Sequence, residues 1–186
     1  KILLFIVFYF LSNSNSLIAN EPYEEKMSTF YKIPVKDING GDIDLSNLKG
    51  KYILLVNVAS RCGYTSQYEG LQKLYDASKN QIEIIGIPCN DFGRQEPGTE
   101  SMIKEFCTIN YGVNFTMTEK QSTKSGSKSK LYDWLSDPKL NGWNSDLPSW
   151  NFCKYVINSE GELTHFFPSN VKPGSSKITD ALNINF

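Results

Sequence analysis

Residues 52–65 read Tyr52-Ile53-Leu54-Leu55-Val56-Asn57-Val58-Ala59-Ser60-Arg61-Cys62-Gly63-Tyr64-Thr65. A nearly unbroken apolar run after the turn-forming Lys49-Gly50-Lys51 is the pattern of a strand buried on both faces, as in a parallel sheet. The run gives way to small and polar residues around a cysteine. From Ser66 to Lys79, Tyr68, Leu71, Leu74, Tyr75 and Ser78 recur at spacings of three and four, predicting an amphipathic helix. Ile82 to Ile87 is a second buried strand. Strand, helix and strand in that order require a crossover and hence a parallel pair.

Outward from this unit, Thr99 to Cys107 predicts a helix, with Thr99 as cap ahead of Met102, Ile103 and Phe106. Ser129 to Leu135 predicts a short helix, and Lys177 to Leu182 a closing one. Cys153 to Ile157 and Glu162 to Phe167, joined by Asn158-Ser159-Glu160-Gly161, predict a hairpin. Upstream, Tyr31 to Val35 and Gly41 to Leu45 flank Asn39-Gly40, a strong hairpin-turn signal. The polar run Gln121 to Lys130 reads as a solvated loop. The fold class expected from this order is α/β: a thioredoxin-like domain with a central mixed β-sheet flanked by helices and an N-terminal β-hairpin.

The chain has 186 residues, with 19 Lys and Arg against 20 Asp and Glu. That balance excludes a binder of the phosphate backbone, which needs a basic surplus, so no nucleic-acid partner is expected. Four cysteines are too few for a disulfide scaffold at this length, and the single histidine, His165, leaves no plausible metal-ligand set. Residues 1–20, KILLFIVFYFLSNSNSLIAN, carry one Lys, a ten-residue apolar run from Ile2 to Leu11 and a polar stretch ending in small residues. The run is too short to span a bilayer and matches a signal-peptide core. The expectation is export through a secretory or periplasmic route, no stable membrane span in the mature form, and a single domain over residues 21–186. A start near Met27 would instead leave a cytoplasmic protein.

Open α/β sheets place their sites beyond the carboxyl ends of strands. Cys62 stands there, at or just before a helix N-terminus, where unpaired N–H groups and the helix dipole favour a thiolate. Arg61 is a possible second contribution. The bland alternative is a buried, inert thiol. A dithiol oxidoreductase has its second cysteine three residues on; here that residue is Thr65. A thiolate with no near partner suits attack on a peroxide O–O bond, leaving a sulfenic acid for a later thiol to resolve.

Three blocks carry a family resemblance. Asn57 to Thr65 resembles the peroxidatic motif of glutathione peroxidases. Gly86-Ile87-Pro88-Cys89-Asn90-Asp91-Phe92-Gly93-Arg94-Gln95-Glu96-Pro97-Gly98 resembles the second block of that family, and Trp150-Asn151-Phe152-Cys153-Lys154-Tyr155 the third. The match runs from about Phe30 to the C-terminus. The resemblance implies a catalytic tetrad of Cys62, Gln95, Trp150 and Asn151. Cysteine at the first position places the chain in the non-selenium branch. Gln95, Trp150 and Asn151 carry neutral N–H donors, able to hold a thiolate or an incipient oxyanion without adding net charge. Glu105 to Val113 resembles the resolving-cysteine segment of thioredoxin-dependent members, which makes Cys107 the resolving cysteine; its bland alternative is a core residue on a helix face. Cys89 and Cys153 read as structural.

The implied function is reduction of hydrogen peroxide and organic or lipid hydroperoxides, with no bound cofactor and with thioredoxin or glutathione as external reductant. A peroxide sensor that relays its oxidation to a partner protein, and a thiol–disulfide oxidoreductase, are the alternatives. Three departures from the family stand out. Asp91 replaces the usual Gln and would raise a nearby thiol pKa if it pointed inward. The 121–130 loop lacks the usual Pro. The insertion that builds tetramers is absent, so a monomer is expected. Asn114-Phe115-Thr116 matches a glycosylation acceptor.

Overall fold

Strand β3 (Tyr52–Val58) runs through the middle of a five-stranded sheet in the computed structural model, which describes residues 28–185. The export segment expected over residues 1–20 lies outside the described residues. The other elements are β1 (Val35–Lys36), β2 (Asp42–Ile43), α1 (Gln67–Ser78), β4 (Ile82–Pro88), α2 (Glu100–Tyr111), β5 (Thr116–Met117), α3 (Lys130–Leu135), α4 (Pro138–Asn141), β6 (Lys154–Ile157), β7 (Leu163–Phe167) and α5 (Ser176–Ala181).

The sheet order is β5-β4-β3-β6-β7, with β1 and β2 forming a separate antiparallel pair. Strand β3 is parallel to β4 and antiparallel to β6, so the sheet is mixed, as expected. Alternate side chains of β3 enter two cores. Leu54, Val56 and Val58 pack with Tyr68, Leu71 and Leu74 of α1, Ile103 and Cys107 of α2, and Ile178 of α5. Ile53 and Leu55 pack on the opposite face with Phe30, Tyr31, Leu131, Tyr132 and Trp134.

Several predicted boundaries change. The expected Tyr31–Val35 strand begins instead as a 3-10 turn over Thr29–Lys32, capped by the Ser28 hydroxyl. Leu45–Leu48 is also a 3-10 turn, capped by Asp44, so the N-terminal hairpin shrinks to two residues a side. That hairpin reaches back to β5: the Ile38 amide donates to the Met117 carbonyl at 2.9 Å and the Glu119 amide to the Lys36 carbonyl at 3.0 Å. Helix α2 continues one turn past its expected end at Cys107. It stops at Gly112, in the left-handed conformation at φ 64°, whose N–H donates to the Thr108 carbonyl while Val113 N–H donates to the Cys107 carbonyl. This closure is a left-handed C-terminal cap of the kind glycine favours. Strand β5 and helix α4 were not anticipated.

Register explains why distant blocks meet. Val58 pairs with Pro88, so β3 and β4 end together. Antiparallel β6 begins at the same edge, Lys154 lying opposite Val56. The chain before β6 is sewn onto the end of β3: Phe152 N–H donates to the Asn57 carbonyl at 2.6 Å and the Asn57 side-chain amide to the Trp150 carbonyl at 3.0 Å.

Candidate active site

Cys62 lies in a tight turn beyond β3, five residues before α1 begins at Gln67, rather than at the helix terminus itself. Its sulfur receives the Tyr64 backbone N–H at 3.4 Å. The turn is stapled by Thr65, whose hydroxyl accepts the Cys62 N–H at 3.0 Å and donates to the Ala59 carbonyl at 2.8 Å. Sequence reasoning read Thr65 only as a missing cysteine and did not foresee this staple. Cys62 is half-buried and forms no disulfide, as do none of the other three cysteines.

The loop after β4 meets this turn through its backbone, Arg61 N–H donating to the Gln95 carbonyl at 3.1 Å. Asn151, fully buried, donates its side-chain N–H groups to Gln95 Oε1 at 2.9 Å and to the Phe92 carbonyl at 3.3 Å. A backbone carbonyl only accepts, so the Asn151 nitrogen must face Phe92. The Gln95 amide oxygen is thereby committed to Asn151, which leaves the Gln95 N–H groups free for another acceptor. The indole of Trp150, 39% exposed, flanks the same loop, within 6.3 Å of the Phe92 ring and against Gly93. Gln95, Trp150 and Asn151 therefore gather beside the chain segment that carries Cys62. Replacing Asn151 with aspartate would set a carboxylate oxygen against two acceptors and drive the Gln95 amide to flip. The expected result is a roughly 10–100-fold slower reaction with peroxide together with a lowered unfolding midpoint, measured by stopped flow and calorimetry.

Glu96, 1% exposed, was not singled out from sequence. It accepts the Ser60 hydroxyl at 3.1 Å, and its own N–H is held by Asn90 at 2.9 Å. Burial pushes its carboxyl up, opposed by the Ser60 bonds and by the charges of Lys120 and Arg61. Arg61 thus bears on Glu96, whereas sequence reasoning assigned it to the thiol. The open question about Asp91 resolves toward the loop: its carboxylate accepts from the Ser122 hydroxyl (2.9 Å) and Thr123 N–H (2.7 Å) and pairs with Lys124 (3.3 Å). It pins the 121–130 loop, and its charge pushes the Cys89 thiol up while the Asp91 backbone hydrogen bond pulls the other way.

Cys107 stands on a different element. It lies inside α2, 1% exposed, in the core that Cys62 borders. Burial pushes its thiol up to about 11; the Tyr68 hydroxyl pulls slightly the other way, and the Glu96 charge adds to the rise. Tyr68 is itself wedged between Phe152 and Tyr111, ring centroids 5.4 Å from each. Cys89 is buried and pushed up to about 12 by desolvation, and Cys153 is buried between the Ser149 and Ser169 hydroxyls. Among the described residues no cluster of His, Cys, Asp and Glu could hold a metal ion, and no helix is long and apolar enough to cross a membrane.

Comparison with known proteins bears on this arrangement. The glutathione peroxidase family model matches residues 30–136. Glutathione peroxidase-like peroxiredoxin 2 of Saccharomyces cerevisiae is 39% identical over 149 residues, 80% of this chain and 92% of that one. A glutathione peroxidase of Lactococcus lactis is 40% identical over 145 residues, 77% and 92% of the two chains. The crystal structure of Trgpx in its apo form shares 31% identity at a TM-score of 0.62, covering 83% of this chain and 95% of that one. A secreted Mycobacterium tuberculosis disulfide oxidoreductase, at 15% identity and a TM-score of 0.56, shares the fold alone. With a thioredoxin-like sheet and a cysteine where the selenium-containing branch has selenocysteine, the chain belongs to the glutathione peroxidase family, in its cysteine branch.

Proposed function

We propose that Cys62 is the peroxidatic nucleophile of a thiol-dependent hydroperoxide reductase. The thiolate attacks the distal oxygen of ROOH, an S–O bond forms as the O–O bond breaks, and the leaving alkoxide or hydroxide takes a proton to depart as alcohol or water. The observation that carries this reading is that the loop of Gln95, bonded by Asn151 and flanked by Trp150, is joined through the Gln95 carbonyl to the segment bearing a half-buried free thiol. Donors of that kind stabilise the charge that develops on the departing oxygen and leave the sulfur nucleophilic.

Cys107 then condenses with the Cys62 sulfenic acid, giving a disulfide and water, and an external dithiol of the thioredoxin type reduces the disulfide. Support comes from a second thiol in the core that borders the first, and from relatives named as peroxiredoxins. Peroxide consumption with thioredoxin and its reductase as sole electron source is expected to exceed that with glutathione and its reductase by at least about tenfold. Saturating turnover with glutathione alone would remove the two-cysteine cycle. Export of the chain is part of the proposal and rests on the pattern of residues 1–20; N-terminal sequencing of the native protein tests it.

A further inference from the structure

Lys154, the first residue of β6, is fully buried, yet no carboxylate among the described residues pairs with it. Its ammonium is instead surrounded by neutral oxygens: Gln67 Oε1 at 2.6 Å, the Val171 carbonyl at 2.6 Å, the Phe152 carbonyl at 2.8 Å and, more distantly, the Ser169 carbonyl at 3.5 Å. An ammonium has three N–H donors and no lone pair, whereas a neutral amine has two donors and a lone pair. Three short oxygen contacts on one nitrogen therefore fit the charged form. On losing its proton the nitrogen would turn a lone pair toward one of the three oxygens, and that contact would open.

The three contacts join the parts of the site. Gln67 opens α1 immediately after the turn that holds Cys62, and Phe152 directly follows Trp150 and Asn151. Gln67 also donates its side-chain N–H to the Ser169 carbonyl at 2.7 Å, tying the 169–171 loop into the same knot. We propose that Lys154 is a positioning residue for the peroxidatic site, a three-armed cationic strut that holds the Cys62-bearing turn and the Trp150-Asn151 segment in register and lets go when it is deprotonated. The inference rests on Cys62 being the nucleophile.

Burial lowers the Lys154 pKa to about 8, within reach of ordinary assay conditions. Among the described residues, the titratable group that bears on it is the adjacent Cys153 thiol, which acts in the opposite direction. The charged residues on the elements around it, Asp76 of α1 among them, are exposed. Glu69 and Lys73 of α1 pair with each other at the surface at 2.7 Å, and Lys172, His165 of β7, and Lys177 and Asp180 of α5 are exposed. In the sheet, Lys154 lies between Val56 and Phe167, both uncharged.

Activity and stability should then move in opposite directions. Between about pH 8 and the unfolded value of 10.5 the unfolded chain holds more protons at this position than the folded one, so the Lys154 contribution to stability rises with pH. Above about 9 the thiols of Cys89 and Cys107 oppose it, because their folded pKa values lie above their ordinary value of 9.0. The clean window is therefore about pH 8–9.

Single-turnover stopped flow of the reduced protein with hydrogen peroxide tests the proposal. The rate relative to that of Lys154→Met at the same pH is expected to fall by roughly tenfold between about pH 7 and pH 9.5, with a midpoint near 8, while the unfolding midpoint rises between about pH 8 and 9. Gln67→Glu places a carboxylate against the ammonium and should move the kinetic midpoint up by about one unit or more. Lys154→Met should start from a low rate and lack the alkaline limb. A pH-independent ratio of the unmodified to the Lys154→Met rate, a midpoint unmoved in Gln67→Glu, or a limb retained in Lys154→Met overturns the proposal. Should Lys154→Met fail to fold, Gln67→Glu decides. No reaction with peroxide at any pH would remove the Cys62 reading itself, whereas reaction at pH 7 without the limb would remove only the strut.

Discussion

Cys62→Ser is expected to bring peroxide consumption down to the uncatalysed rate, a loss of at least about 1,000-fold. The serine hydroxyl ionises far above neutral pH and in its neutral form is a poor nucleophile. The Tyr64 N–H that reaches the sulfur at 3.4 Å and the donors held by Asn151 would remain, but with no anion to act on. Because the turn is fixed by Thr65 and not by the cysteine side chain, the variant should fold as the parent does. A circular-dichroism melt alongside the peroxide assay separates loss of chemistry from loss of structure. Turnover within tenfold of the parent would show that another thiol carries the reaction.

Cys107→Ser should divide the cycle. The first equivalent of peroxide is expected to react within about twofold of the parent rate, since Cys107 lies in the core, on a different element from the residues around Cys62. Steady-state turnover driven by thioredoxin should fall by at least about 100-fold, and mass spectrometry without reductant should lose the Cys62–Cys107 linkage. A disulfide needs Cα atoms within about 7 Å and suitably directed side chains, which a thiol sealed inside α2 does not offer without movement. If Cys107 resolves Cys62, the expected movement is opening of the helix at its C-terminal end, where the Gly112 closure, including the bond to the carbonyl of Cys107 itself, would break. Opening also changes reactivity. Released from burial, the thiol returns from about 11 toward its ordinary 9.0, which raises its thiolate fraction at neutral pH by about 100-fold. One movement thus both delivers and activates the second sulfur. Equal losses in the burst and the steady state would contradict this division of labour.

Much of this architecture was legible from periodicity. The apolar runs of β3 and β4 and the three-four spacing of α1 are strong signals because each element is buried along its whole length or along one clear stripe. The two-residue β5 carries no period to read, and α4 is too short to show one despite Asp137 and Pro138 marking its start. The extra turn of α2 was missed because Thr108, Asn110 and Tyr111 are indifferent helix formers, although Gly112 marks the stop. The cluster of Gln95, Trp150 and Asn151 followed from the three sequence blocks, and the paired register of β3, β4 and β6 accounts for it. Lys154 was unreadable, since a charged residue at a strand start is ordinarily taken to face water. Asp91 was left open by sequence because its direction depends on a loop whose path only the folded chain reveals.

The small hairpin of β1 and β2 looks dispensable beside the active centre, but it lies along the rim of the sheet at β5. By occupying backbone groups of Met117 and Glu119 and bridging Asp37 to Thr118, it removes a docking rail that a second molecule would otherwise find. A peroxidase that cycles through oxidised forms can least tolerate a sticky margin nearby. Its resistance to clumping under oxidative load should therefore depend on residues 35–43, which take no part in the chemistry.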